Sequence, residues 1–166
     1  MKKFLIVFVF IFSGIISCIS KETKTTYYLI RHAEKDRTDK TNRNPNLNEQ
    51  GIDRAEKWMN YFKDIKLNAV YSTNYSRTMQ TAKPTAKSKK LDILNYDPRN
   101  LNDSIFQQIT KGKIVLVVGH SNTTPAFVNK ILDEKRYEDM QDDDNASLYI
   151  VTVIGVNKTS KIEKIE

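Results

Sequence analysis

One cysteine in 166 residues rules out a disulfide within the chain, and two histidines leave few places for imidazole chemistry. Concentrated charge is missing too. The 27 Lys and Arg against 20 Asp and Glu give a formal +7, yet lysines such as Lys83, Lys90, Lys158 and Lys164 are scattered. A mild, scattered surplus reads as a solvated surface with a modest pull on anionic substrates or lipid headgroups, and it argues against a dedicated nucleic-acid function. There is no internal repeat. The one long apolar run, within residues 4–16, holds about 13 residues where a membrane-spanning helix needs about 20.

That run follows Met1-Lys2-Lys3 and ends in Ile15-Ile16-Ser17-Cys18, which suits a secretory segment with a basic start and an apolar centre. The pattern resembles a bacterial lipoprotein signal, in which cleavage leaves Cys18 carrying lipid. The plainer alternative is an ordinary signal peptide or an uncleaved anchor with an incidental cysteine. The lipoprotein resemblance implies residues 1–17 as the signal, 18–26 as a lipidated tether and 27–166 as the folded domain, exported and lipid-anchored in the bacterial cell envelope. Without residues 1–17 the chain keeps 149 of its 166 residues, enough for one core, and loss of Lys2 and Lys3 lowers the formal charge to +5.

Short apolar runs then alternate with helical patterns. Residues 27–31, 69–72, 92–96, 114–119 and 148–156 read as strands, and the unbroken Ile-Val-Leu-Val-Val run from Ile114 reads as a central parallel strand covered on both faces. Ile52, Ala55, Met59, Phe62 and Ile65 recur at helical spacing behind an Asn48 N-cap. A second helix, 76–87, is expected to break or end near Pro84. A short third covers 104–110, and Thr124-Pro125 supply the cap and first-turn proline of a fourth reaching about residue 132. The acidic run Asp142-Asp143-Asp144 reads as an exposed loop. This alternation implies an α/β fold, a three-layer α/β/α sandwich with a mostly parallel central sheet.

Both histidines follow strands: His32 after Tyr27–Arg31, and His120 after the Ile114 run. Open α/β sheets bind ligands outside the carboxyl ends of their strands. Neighbouring strands lie about 4.8 Å apart, so two such ends bring two imidazoles within reach of one small anion. Arg31 and His32 face opposite ways on a regular strand, so both reach one pocket only if the strand ends there. Arg77, five residues after Ser72, falls at the start of the second helix, where helix N-termini favour negative charge. A guanidinium fork matches phosphoryl oxygens as lysine does not.

Arg31-His32-Ala33-Glu34 resembles the Arg-His-Gly-Glu signature of the histidine phosphatase (phosphoglycerate mutase-like, branch 1) superfamily. Leu47-Asn48-Glu49-Gln50-Gly51 looks like its Leu-Thr-x-x-Gly segment. The stretch from Tyr71 through Arg77 to Ala82 is similar to its Tyr-Ser-Ser-Pro-x-x-Arg-Ala-x-Gln-Thr-Ala motif, and Val117-Val118-Gly119-His120-Ser121 resembles its second-histidine motif. The motifs run in order from about residue 27 to 132.

The resemblance implies a phosphoglycerate mutase-like fold and a metal-independent phosphomonoester hydrolase that needs no cofactor. In it His32 is the nucleophile that forms a phosphohistidine, while Arg31, Arg77 and His120 bind and stabilise the phosphoryl oxygens. A general acid must protonate the leaving alkoxide. Leu101-Asn102-Asp103 looks like the segment that carries it in many relatives, with aspartate for glutamate; Asp97 competes and Glu34 is a more distant candidate. Ala33 replaces the usual glycine, and Asn74 and Thr78 replace proline and alanine. Ser121 stands where the acid-phosphatase branch has its aspartate. The short chain is expected to favour hydrolysis over a phosphomutase reaction, since mutase relatives are larger.

Two rivals are weaker. Gly119-His120-Ser121 is not a nucleophile elbow, because no histidine follows residue 120. A two-histidine metal site is opposed by the neighbouring arginines. A non-catalytic envelope lipoprotein that binds phosphate or a phospholigand is the remaining alternative. The expected partners are thus a small phosphorylated substrate and, through Cys18, a membrane.

Overall fold

The structure, a computed structural model, describes residues 22–166; the proposed signal segment and Cys18 lie outside the described residues. In order come β1 Lys24–Arg31, α1 Glu49–Phe62, β2 Ala69–Ser72, α2 Ser76–Lys89, β3 Ile93–Asn95, α3 Ser104–Thr110, β4 Ile114–Gly119, α4 Thr123–Leu132, β5 Ser147–Ile154 and β6 Asn157–Lys164. The strands form one sheet in the order β3-β2-β4-β1-β5-β6. β3, β2, β4 and β1 run parallel, while β5 and β6 are antiparallel additions on the β1 side.

Alternation along the strands divides the core between the two sheet faces. Val115 and Val117 of β4 pack with Phe106 of α3 and Phe127 of α4. Leu116 and Val118 point the other way, toward Trp58 and Phe62 of α1 and Ala82 of α2. Helices on both faces of a mostly parallel sheet make the expected three-layer sandwich. The apolar run of β4 is therefore explained: both of its faces are covered.

Several boundaries differ from the sequence reading. β1 begins at Lys24, inside the stretch assigned to the tether, because Thr26 donates its amide to Lys113 and the Thr25 hydroxyl accepts from Gly112. α2 continues past Pro84 to Lys89, since Thr81, Ala82, Thr85 and Ala86 bury its inner face, and that packing outweighs one missing amide donor. Asn122, not Thr124, caps α4, accepting from the Thr123 amide at 2.9 Å. β6 has no counterpart in the sequence reading. It is an edge strand, mostly polar and rich in lysine, held by pairing with β5 rather than by an apolar face.

The register places the motif residues. Arg31 lies opposite Gly119 and Ser72 opposite Val118, so β1, β2 and β4 end together at one edge of the sheet.

Candidate active site

Hydrogen bonds continue just beyond these strand ends. The His32 amide donates to the Gly119 carbonyl at 2.9 Å, and the Thr73 amide to the Val118 carbonyl at 3.4 Å. The Ala33 amide donates to the Thr81 hydroxyl at 2.9 Å, which itself donates to the Arg77 carbonyl at 2.7 Å. One buried hydroxyl thus joins the chain at His32 to the helix that carries Arg77. From the other side Asn145, buried, donates its side-chain amide to the His32 carbonyl at 2.8 Å.

The Leu47–Gly51 motif acts as a brace. The Asn48 amide donates to the Glu34 carbonyl at 3.0 Å, and Asn48 caps α1 through the Gly51 amide at 2.9 Å. A Cβ on Gly51 would sit 2.1 Å from the Glu34 carbonyl oxygen, so only glycine permits α1 to start this close to the loop after β1.

The imidazoles face one another, with ring centroids 5.5 Å apart and planes at 68°. His32 Nδ1 lies 2.7 Å from the Ala33 carbonyl. A carbonyl only accepts, so Nδ1 carries the proton and Nε2 keeps its lone pair. His120 Nδ1 lies 3.3 Å from Arg77 Nη2, which only donates, so its proton sits on Nε2, 2.9 Å from the Thr73 hydroxyl. Both rings are held neutral. Burial, then the nearby Arg31, Arg77 and His120, lower the His32 pKa to about 3 despite the opposing Ala33 carbonyl. Burial, then Arg77, Arg31 and Lys35, lower that of His120 to about 4.

Arg77 is half-buried, and burial lowers its pKa below the usual guanidinium value. Its Cζ lies 4.6 Å from the centre of the Tyr75 ring, and that ring meets His120 edge-on at 5.1 Å. Arg77 Nε and Nη1 and Arg31 Nε are buried donors without a hydrogen-bond partner among the described residues. Such donors are costly to bury unpaired, and an oxyanion is the kind of acceptor that suits them.

Arg31, 2% exposed, is turned toward the loop before β5. Its Nη1 donates to the carbonyls of Gln141 and Asp142, both at 2.9 Å, and its Nη2 to the Asp142 carboxylate at 2.9 Å. The acidic run read as a solvated loop is therefore part of the site. A cleft of about 970 Å³ opens over His32, with Lys35, Arg37, Asn48, Asp142 and Asn145 in its walls. Arg37, then Arg31, hold the Asp142 carboxyl below its ordinary pKa. Asp142 and Asn145 were not singled out as site residues from sequence. The available signal was an acidic triplet that must sit somewhere near a strand-end cluster of cations.

The acid candidates are occupied locally. Asp103 caps α3, accepting from the Phe106 amide at 2.7 Å. Asp97 binds Arg99 in its own turn, at 3.0 Å. Glu34 pairs with Arg54 at 2.7 Å, both mostly buried. The placement of Asp103 and Asp97 thus lends no support to either as general acid. Among the described residues no group of three or more His, Cys, Asp or Glu is placed to hold a metal ion.

Residues 27–99 match a family described as the histidine phosphatase superfamily (branch 1). No curated protein matches the chain by sequence. Among solved structures, a phosphoglycerate mutase from Bacillus anthracis str. Sterne is 16% identical with a TM-score of 0.65, over 87% of this chain and 94% of that one. The protein histidine phosphatase SixA complexed with tungstate is also 16% identical, with a TM-score of 0.65, over 84% and 96%. A mycobacterial glucosyl-3-phosphoglycerate phosphatase complexed with VO3 is 12% identical with a TM-score of 0.62, over 80% and 98%. The fold is phosphoglycerate mutase-like. Because 94% of that Bacillus anthracis mutase chain is covered, small size does not separate hydrolysis from a mutase reaction.

Proposed function

For a chain that carries the histidine phosphatase superfamily (branch 1) pattern, whose members are phosphatases or mutases, we propose metal-independent hydrolysis of phosphomonoesters through a phosphohistidine on His32. The observation that supports it most is the site's polarity. Two neutral imidazoles 5.5 Å apart stand beside buried guanidinium donors that have no acceptor among the described residues.

The Nε2 lone pair of His32 attacks phosphorus, an N–P bond forms, and the ester P–O bond breaks. The leaving alkoxide takes a proton from solvent in the open cleft. Water then attacks the same phosphorus, the N–P bond returns its electrons to Nε2, and inorganic phosphate departs. Arg77 and His120 bear the charge on the phosphoryl oxygens. An approaching dianion raises the His120 pKa, so that its ring takes a proton and donates to the oxygens through Nδ1. Little covalent chemistry is asked of the protein beyond the nucleophile, because phosphoryl transfer depends mainly on positioning and charge. Arg31 contributes field and its remaining donors from the loop that holds it. Tungstate and vanadate in the similar structures are anions of the kind this cradle suits. Lipid on Cys18, in this proposal, holds the domain in the bacterial envelope.

The test uses p-nitrophenyl phosphate, whose leaving group departs without a proton and so bypasses the general acid. Wild type is expected to turn over and to trap labelled phosphate on His32 after acid-free quenching, whereas His32→Ala does neither. Equal rates in the two proteins overturn the assignment.

A further inference from the structure

The lysines that look scattered in sequence collect at one end of the fold. The parallel strands begin together, with Thr26 opposite Ile114, Ala69 opposite Val115 and Val70 opposite Ile93. The connections entering three of them carry Lys63 and Lys66 before β2, Lys89 at the end of α2 and Lys90 before β3, and Lys111 and Lys113 before β4. All but Lys89 are exposed, and Lys89 reaches across to the Lys63 carbonyl at 2.6 Å, tying two of the connections into one surface. Only Asp64 and Asp92 oppose these six within the same connections. Lys158, at the adjoining end of β6, is already paired with Asp133 and adds nothing.

The opposite end is mixed in charge. β5 runs antiparallel to β1, with Leu148 opposite Ile30, so the loop before it lies at the His32 end and brings Asp139, Asp142, Asp143 and Asp144. These stand among Arg31, Lys35, Arg37 and Arg77, and Asp142 is paired with two of them, so the unopposed positive charge lies at the base.

We propose that the lysine-bearing base is a docking face for anionic lipid headgroups, which holds the domain upright with the His32 cleft turned away from the membrane. The occupant follows from where the chain enters. β1 starts at the base with Lys24, six residues after Cys18, and six extended residues reach at most about 21 Å. A lipid on Cys18 therefore tethers the base to the surface and lets it approach within one Debye length, about 8 Å at physiological salt. Lysines that near an anionic leaflet are attracted, which turns the base toward the surface and the mixed-charge rim away from it. No helix among the described residues is long and apolar enough to cross a membrane. The inference rests on the lipidation of Cys18, not on the chemistry at His32.

The experiment uses the protein lipidated on Cys18 and without residues 1–17, in vesicles of phosphatidylcholine, with or without about one third phosphatidylglycerol, containing a headgroup acceptor dye. A donor dye is attached at Asn157→Cys, exposed at the base, or at Asn74→Cys, exposed just beyond the end of β2 at the rim. On anionic vesicles, energy transfer from the base is expected to exceed that from the rim. This base-to-rim ratio should fall at least about twofold on neutral vesicles, or in about 0.5 M salt, where screening shortens to a few ångströms. The same fall is expected in Lys63→Glu/Lys66→Glu/Lys111→Glu/Lys113→Glu, with its circular dichroism melt serving as the check on folding. A ratio unmoved by lipid charge, salt and the four substitutions overturns the proposal. So does failure of the protein to float with either vesicle. Loss of p-nitrophenyl phosphate turnover in wild type sinks the hydrolase reading instead, and leaves the ratio intact.

Discussion

Asp142 bridges two arginines: one carboxylate oxygen accepts from Arg31 at 2.9 Å and the other from Arg37 at 2.8 Å. The carboxylate is itself mostly exposed, whereas Arg31 is buried, so an anion from the chain rests on a cation that sequence assigned to substrate phosphate. Asp142→Asn is expected to tighten vanadate inhibition about threefold. A unit charge about 6 Å away in a water-like medium is worth about 0.7 kcal/mol, which is about that factor. Unchanged or weaker vanadate binding in this variant means that Asp142 supports Arg31 rather than competing for it.

The two histidines predict a pH dependence of stability. Their folded-state pKa values, about 3 for His32 and about 4 for His120, lie below the value of about 6.5 expected in the unfolded chain. Above about pH 6.5 both states hold them neutral, and they contribute no pH dependence. As pH falls below that, the unfolded chain takes up protons that the folded one refuses, so stability declines until the folded values near 4 and 3 are reached. The urea midpoint should therefore be lower at pH 5 than at pH 7.5, and His32→Gln/His120→Gln should flatten the difference. An unaltered slope in the double variant places the effect on other groups.

Much of the site was readable because strand ends are readable. The apolar run into Gly119-His120 and the shorter one into Arg31-His32 marked two parallel strands, and parallel neighbours must bring those ends together. Arg77 followed from its place at the first turn of α2. What escaped was set by tertiary context. Nothing in Asn157–Lys164 is apolar enough to announce a strand, and β6 exists because β5 presents an open edge. Pro84 looks like a helix stop locally, yet a buried threonine and alanine face carries α2 onward. The loop at 141–145 has no motif, and its grip on Arg31 and His32 combines backbone carbonyls with the Asp142 carboxylate and the Asn145 side-chain amide, brought there by the fold.

Tyr75 illustrates a contact the chain adds on its own account, at a position the family motif leaves open. Its ring lies against Arg77 and edge-on to His120, and it is 40% exposed at the mouth of the site. A cation over an exposed ring is worth about 0.5–1 kcal/mol, or about two- to fivefold in rate if the arginine acts in the transition state. Tyr75→Leu is expected to lose that much kcat/KM, with Tyr75→Phe close to wild type because the ring face remains. Equal losses in both variants would point to the hydroxyl instead.

Thr81 joins the chain beside His32 to the helix of Arg77 through one oxygen, accepting from the Ala33 amide at 2.9 Å and donating to the Arg77 carbonyl at 2.7 Å. Thr81→Val keeps the shape but leaves the buried Ala33 amide without an acceptor, at a cost of about 1–3 kcal/mol. The Arg77 carbonyl still receives its helical bond, so the damage falls on the His32 side. Misplacing a reacting group by about 1 Å can cost about a hundredfold, and a loss of at least about tenfold in kcat is expected for the valine variant. Thr81→Ser retains the hydroxyl and should recover most of that rate while giving up a methyl's worth of packing. The discriminating measurement is kcat beside the urea midpoint for both variants. A valine variant with normal turnover but lowered stability would mean that the link serves the fold and not the alignment of His32 with Arg77.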